Sequence, residues 1–295
     1  MKFLQTIRLW ILFIIIQIYT IQSNTQKVDD SSNNVYALLV IDVQYCFING
    51  SLALKNSPAR QDGAEVVPII NKLIKTVPFD VIAYSLDWHP KNHISFINNT
   101  IYRNQYILNG QYQDYKIGDT ITYTGPESRT DQVLWPAHCV QNTDEAELSD
   151  DLIHYPASDK YVYVVKGTDP DIDSYSAFYD NNKLHMTPLN DELKKRNVTH
   201  VFVAGLALDF CVGSSAVDAA DLKYKTYVIK DASRGVNDKT IKTKLIEMKQ
   251  HGVKIIESDD VENIVKHDQH NKRKFINFQR RKQMYNLLQR ILENE

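Results

Sequence analysis

Four apolar runs in this 295-residue chain end on side chains capable of chemistry. "LLVIDV" carries Asp42, "IAYSLDWH" carries Asp87 and His89, "YVYVVKG" carries Lys166, and "VFVAGLALDFC" runs into Cys211. A cysteine in the first turn of a helix meets unpaired N–H groups and the positive end of the macrodipole, which favour thiolate over thiol. A neighbouring lysine adds positive charge, and a carboxylate can take or hold the thiol proton. Each residue also has a plainer reading. Free cysteine is commonly buried for packing, aspartate after a strand is often a turn residue, and a lysine closing a strand is usually solvated. Their joint position at strand ends favours a constructed nucleophilic site.

A second constellation is Asp87, His89 and His138. Asp87 and His89 are two residues apart, so on an extended segment they face the same way. His138 lies in the turn-like "LWPAHCV", behind Pro136. Two imidazoles and one carboxylate suit Zn²⁺ or Fe²⁺ with positions left open. His93, four residues beyond His89, is the rival third ligand, and a polar loop without a metal is the plain alternative.

The elements that must position these residues follow from apolar patterning. Continuous β-rich runs cover 35–43, 79–89, 160–167, 199–207, 225–231 and 253–258. Helical spacing over 63–77 places Val66, Ile69, Ile70 and Leu73 on one face. Further helices are predicted over 188–197, 211–222 and 238–252, the last closed by Gly252. Uninterrupted Val/Ile strands alternating with helices predict an α/β fold, an open parallel sheet sandwiched between helices. Ligands of such sheets sit at the carboxyl ends of the strands. The Tyr-rich segment 97–135 shows no clear period.

The segments "LLVIDVQYCF", "SLDWHPKNHISF", "LWPAHCVQNT", "VVKGTDPDIDSYSAFYDN" and "VFVAGLALDFCVGSSAVDA" resemble, in order, the nicotinamidase branch of the isochorismatase-like cysteine hydrolases. The resemblance runs from about residue 35 to 231. It implies a three-layer α/β/α fold with Asp42, Lys166 and Cys211 as catalytic triad. It implies Asp87, His89 and His138 as ligands of one divalent metal, zinc first, with Fe²⁺ or Mn²⁺ as alternatives. Phe47, Trp135, Tyr175 and Phe210 match positions that wall the ring pocket. A cis peptide is implied before Ala207, whose N–H would join that of Cys211 as oxyanion donors. The implied substrate is nicotinamide, hydrolysed to nicotinate and ammonia. The alternatives are another small amide, of the pyrazinamide kind, or a ligand-binding protein on the same scaffold.

The rest of the chain sets the context. Lys2 and Arg8 precede a short apolar run ending near Ser23, the pattern of a secretory signal peptide over 1–23. The run is short for a spanning helix, so no stable membrane span is expected once the signal is cleaved. An uncleaved signal anchor is the alternative. A disordered lead-in over 24–34, a hydrolase domain over 35–265 and a basic terminal helix over 266–295 complete the expected organisation. Asn49, Asn98 and Asn197 head glycosylation sequons, which fit a secreted chain. A formal net charge of −2 gives no support for a nucleic-acid partner; a homo-oligomer is left open. Three cysteines are too few for a disulfide scaffold. Cys46 and Cys139 flank Asp42 and His138, so both are expected near the site, but whether they pair is a matter of geometry.

Overall fold

The structure is a computed structural model that describes residues 34–108, 114–126 and 128–293. The expected signal segment and all but the last residue of the lead-in lie outside the described residues.

Six strands form one parallel sheet: β1 (Tyr36–Ile41), β2 (Val81–Asp87), β5 (Tyr161–Lys166), β6 (His200–Leu206), β7 (Lys225–Arg234) and β8 (Lys254–Ile256). Their spatial order is β5-β2-β1-β6-β7-β8. The chain winds outward from β1 in one direction, then returns to β6 and winds outward in the other. The order therefore reverses between β1 and β6, where an open α/β sheet splays its loops and leaves a crevice.

Alternation along the strands builds both layers. Leu38, Val40, Ile82, Tyr84, Phe202 and Ala204 face one side. There they pack with Val66, Ile70 and Leu73 of α1 (Val66–Thr76) and with Val261 and Val265, the first buried residues of α5 (Ser258–Glu293). Leu39, Ile41, Ala83, Val164, Val201 and Val203 face the other side. They meet α2 (Leu189–Lys195), α3 (Gly213–Asp221) and α4 (Asp238–Gln250). This is the expected α/β/α sandwich. The terminal helix begins at Ser258, earlier than the basic segment alone suggests. Among the described residues no helix is long and apolar enough to cross a membrane.

The 97–135 segment, unreadable as a period, is a 3-10 stretch (Ile97–Tyr106) followed by an antiparallel hairpin, β3 (Thr120–Tyr123) with β4 (Thr130–Val133). It closes over its own small core of Ile94, Ile107, Ile121, Tyr123 and Leu134.

Gly205 is required where β6 crosses closest to β1. It has φ +126, and a Cβ there would stand 2.1 Å from the Ile41 carbonyl oxygen, with backbone rather than a flexible side chain in the way. Gly205→Ala is expected to lower unfolding free energy by at least about 3 kcal/mol in denaturant titration; an unchanged midpoint would refute this packing constraint.

Candidate active site

The predicted nucleophilic residues converge at the carboxyl ends of four adjacent strands. Asp42 follows β1 with φ +50, and its N–H donates to Ser85 O at 3.2 Å. That backward turn directs a fully buried carboxylate across the sheet edge. Ser85 Oγ donates to Asp42 Oδ1 at 2.6 Å. The Lys166 ammonium, at the end of β5, is 2.9 Å from Asp42 Oδ2 and also bonds Asp87. It donates to Ser174 O at 2.9 Å and lies 3.3 Å from Cys211 Sγ.

Cys211 sits in a π-helical turn, Leu208–Val212, that leads into α3. The N–H groups of Phe210 and Val212 both donate to Ala207 O. The peptide before Ala207 is cis, as the resemblance implied. Asp209 braces this turn from beneath. Its carboxylate accepts from the N–H groups of Val236 and Asn237 and from Thr240 Oγ1, at the entry to α4.

The electrostatics revise one expectation. Cys211 was expected to be a thiolate held by the helix N-terminus. Instead burial pushes its thiol well above the ordinary range, against the lowering effect of Lys166 and with the Asp42 charge acting in the same direction as burial. Burial also raises Asp42 to about 6, with Lys166 opposing it. Lys166 keeps its proton: burial opposes the charge, but Asp42 and Asp87 more than compensate. At neutral pH the resting cluster is a thiol beside a carboxylate, with an ammonium between the acids. The macrodipole favours thiolate by a modest amount, whereas loss of water around a buried anion costs more.

Asp87, His89 and His138 also come together. One ligand atom from each lies within 4.8 Å of the others, and all three residues are buried. Both imidazoles are oriented from behind: His89 Nδ1 bonds Gly167 O at 2.8 Å and His138 Nδ1 bonds Pro136 O at 2.8 Å. Each Nε2 is then the nitrogen available to a metal. Gln44 fixes the carboxylate's backbone, donating to Asp87 O and accepting from Asp87 N–H. Burial, reinforced by His89, lowers His138 to about 3, so it is neutral and ready to ligate. Burial opposes ionisation of Asp87, but Lys166 and His89 hold its carboxyl well below the usual range. His93, the rival ligand, stacks on His89 with centroids 4.1 Å apart. Its Nδ1 bonds Ser95 Oγ at 2.7 Å, which leaves a buried Nε2 that makes no hydrogen bond of good geometry beside the Ile172 backbone and fits a cation site. With Asp173, His89 and His93 form a second overlapping set.

All four predicted wall residues, Phe47, Trp135, Tyr175 and Phe210, line one pocket together with Asp87, His89, His138, Ala207 and Cys211. Phe210 is gripped edge-on by Trp135 and Tyr175, at 5.1 and 5.3 Å between centroids. Such a slot suits a flat aromatic ring. Sequence reasoning missed Leu52, Leu54, Asp173 and Val236 in the lining. It also missed Gln44 and Ser85, which were visible as polar residues embedded in apolar runs. Cys46 and Cys139, left open as a pair, are joined by a disulfide, and Cys211 is the free cysteine. The sequon residues Asn49, Asn98 and Asn197 are all exposed.

The isochorismatase domain family model matches residues 36–260. The chain belongs to the isochorismatase family. The nicotinamidase of Saccharomyces cerevisiae is 33% identical over 230 residues, covering 75% of this chain and 98% of that protein. Among solved structures, the Acinetobacter baumanii nicotinamidase/pyrazinamidase is 36% identical with a TM-score of 0.65, covering 79% of this chain and 100% of that one. A pyrazinamidase of Pyrococcus horikoshii in complex with zinc is 30% identical with a TM-score of 0.53, covering 75% and 98%. In this isochorismatase-family hydrolase, Gly167 has a role sequence patterning did not reveal. It has φ +64, and a Cβ would fall 2.4 Å from the His89 ring. If His89 holds a divalent metal, Gly167→Ala is expected to weaken zinc affinity by about tenfold or more, read by competition with a chromogenic chelator; unaltered affinity would count against that role.

Proposed function

We propose that this enzyme is a nicotinamidase, hydrolysing nicotinamide to nicotinate and ammonia through a thioester on Cys211. The observation that carries the reading is the contact of Lys166 with Asp42, Asp87 and Cys211 at the floor of a pocket lined by Asp87, His89 and His138. The names of the relatives support the substrate. Pyrazinamide, also a flat heteroaromatic carboxamide, is the second substrate, favoured by the name of the Acinetobacter neighbour.

In the proposed reaction the ring lies between Phe47, Trp135, Tyr175 and Phe210, with its carboxamide over Cys211. Asp42 takes the thiol proton as Sγ attacks the carbonyl carbon. Lys166, 3.3 Å from Sγ, offsets the charge that develops on sulfur. The N–H groups of Ala207 and Cys211 serve as oxyanion donors, each worth roughly 3 kcal/mol in comparable sites. Protonated Asp42 then gives its proton to the leaving nitrogen, and ammonia departs. Asp42 next deprotonates a water that cleaves the thioester, releasing nicotinate and restoring the thiol. Asp87, His89 and His138 would hold one divalent metal, zinc first, with His93 or Asp173 within reach of the same position. When bound, the metal supplies a Lewis-acid contact for the pyridine nitrogen.

We also propose that the enzyme works in the secretory pathway or outside the cell. The signal-like N-terminus, the disulfide and the three exposed sequon asparagines all point that way.

Cys211→Ala is expected to abolish ammonia release while nicotinamide binding, measured calorimetrically, persists. Full activity in that variant would end this reading. Chelation of wild type should raise KM for nicotinamide. Asp42 must be ionised to accept the thiol proton and is protonated below about 6. The pH profile of kcat/KM should therefore fall about tenfold per unit on the acid side of that value. A flat profile down to pH 5 would remove Asp42 as the base.

A further inference from the structure

The disulfide joins two segments that each contribute a residue to the pocket. Cys46 and Cys139 are separated by 93 residues in sequence, yet their Cα atoms are 5.4 Å apart. Both are fully buried. Each is next in sequence to a pocket residue: Cys46 precedes Phe47, and Cys139 follows His138. The rings of Phe47 and His138 lie 5.7 Å apart.

Backbone hydrogen bonds tie residues 135–141 to the 89–97 stretch. His89 N–H donates to Cys139 O at 3.1 Å, Gln141 N–H donates to His89 O at 2.9 Å, and Trp135 N–H donates to Ser95 O at 2.7 Å. On the opposite side, the turn Tyr45–Ile48 bonds its own residues and Glu147. Among the described backbone hydrogen bonds, none joins residues 44–50 to residues 134–140. His138 Nδ1 bonds Pro136, within the same segment, so the ring travels with its loop. Asp42 and Lys166, by contrast, hang from strand ends, and Cys211 from the turn that follows β6.

We propose that the Cys46–Cys139 bridge is a positioning element for His138 and Phe47, so that its reduction loosens the metal and the ring-binding wall while sparing the triad. This rests on the metal-site reading above. A dithiol reductant would supply the two electrons. One of its thiolates attacks a bridge sulfur, its second thiol closes the reductant into a cyclic disulfide, and Cys46 and Cys139 are left as two thiols. Two buried thiols need more room than the bonded pair, and a close-packed interior yields by shifting the neighbouring residues. Phe47 and His138, bonded directly to the two cysteines along the chain, follow any such shift.

The test compares zinc-loaded oxidised wild type, the same protein after a dithiol, and Cys46→Ala/Cys139→Ala. Alkylation after denaturation should count one thiol in the oxidised protein and three after reduction. Zinc release to a chromogenic chelator should accelerate by about tenfold or more. KM for nicotinamide should rise by a similar factor while kcat falls by much less. A purely structural bridge would lower the melting temperature but leave zinc release and KM unchanged; that result overturns the proposal. Three thiols in the protein as purified also overturns it. If the double variant does not fold, reduced wild type below its melting temperature provides the same readouts. An oxidised wild type with one thiol but no zinc binding defeats the metal-site reading itself, and this proposal with it.

Discussion

Everything at the sheet edge depends on one buried cation. Lys166 contacts Asp42, Asp87, Ser174 O and Cys211 with no access to water. An unpaired ammonium in that place would be prohibitively costly, and the carboxylates of Asp87 and Asp42 offset its charge. The reverse also holds, since two acids this close would not both ionise without the cation. The lysine therefore sets the protonation state of the base, and through Asp87 it links the nucleophile to the candidate metal ligands. Removing Lys166 leaves two buried carboxylates without their counter-ion. Such losses typically cost 3–5 kcal/mol, so variants here test folding as well as chemistry.

The sheet's topology supplies the geometry for that cluster. Asp42 and Cys211 come from β1 and β6, which pair directly although far apart in sequence. Asp87 and Lys166 sit opposite each other in the β2–β5 register. The strand reversal between β1 and β6 leaves room above the edge for a ligand, while the backward turn at Asp42 and the brace from Asp209 aim the side chains into it.

Much of this was legible because strands buried on both faces read as continuous apolar runs. A polar residue at the end of such a run is conspicuous, and that located Asp42, Asp87, Lys166 and the segment before Cys211. Three things were not legible. The charge state of Cys211 depends on its burial, to which residues distant in sequence such as Phe47 and Val236 contribute, so helix position alone misled. The Cys46–Cys139 pairing depends on a Cα separation that no spacing encodes. The 97–135 segment hides its order because a 3-10 stretch and a short hairpin place apolar residues at irregular intervals. It is fastened instead by polar contacts among Arg103, Tyr123 and Asp171, whose partners only the fold brings together.

That segment leaves the sheet after β2 and rejoins it at β5, the edge strand. Trp135 is its last residue and His138 lies just beyond it, whereas Asp42 follows β1, Lys166 ends β5 and Cys211 sits in the turn after β6. The ring walls are thus encoded in several stretches of chain, of which only the Trp135 stretch is remote from the triad in sequence. Lengthening or rewriting the excursion leaves the β1–β6 seam untouched. Changes there would reshape the Trp135 side of the pocket while the strand-end cluster keeps its frame.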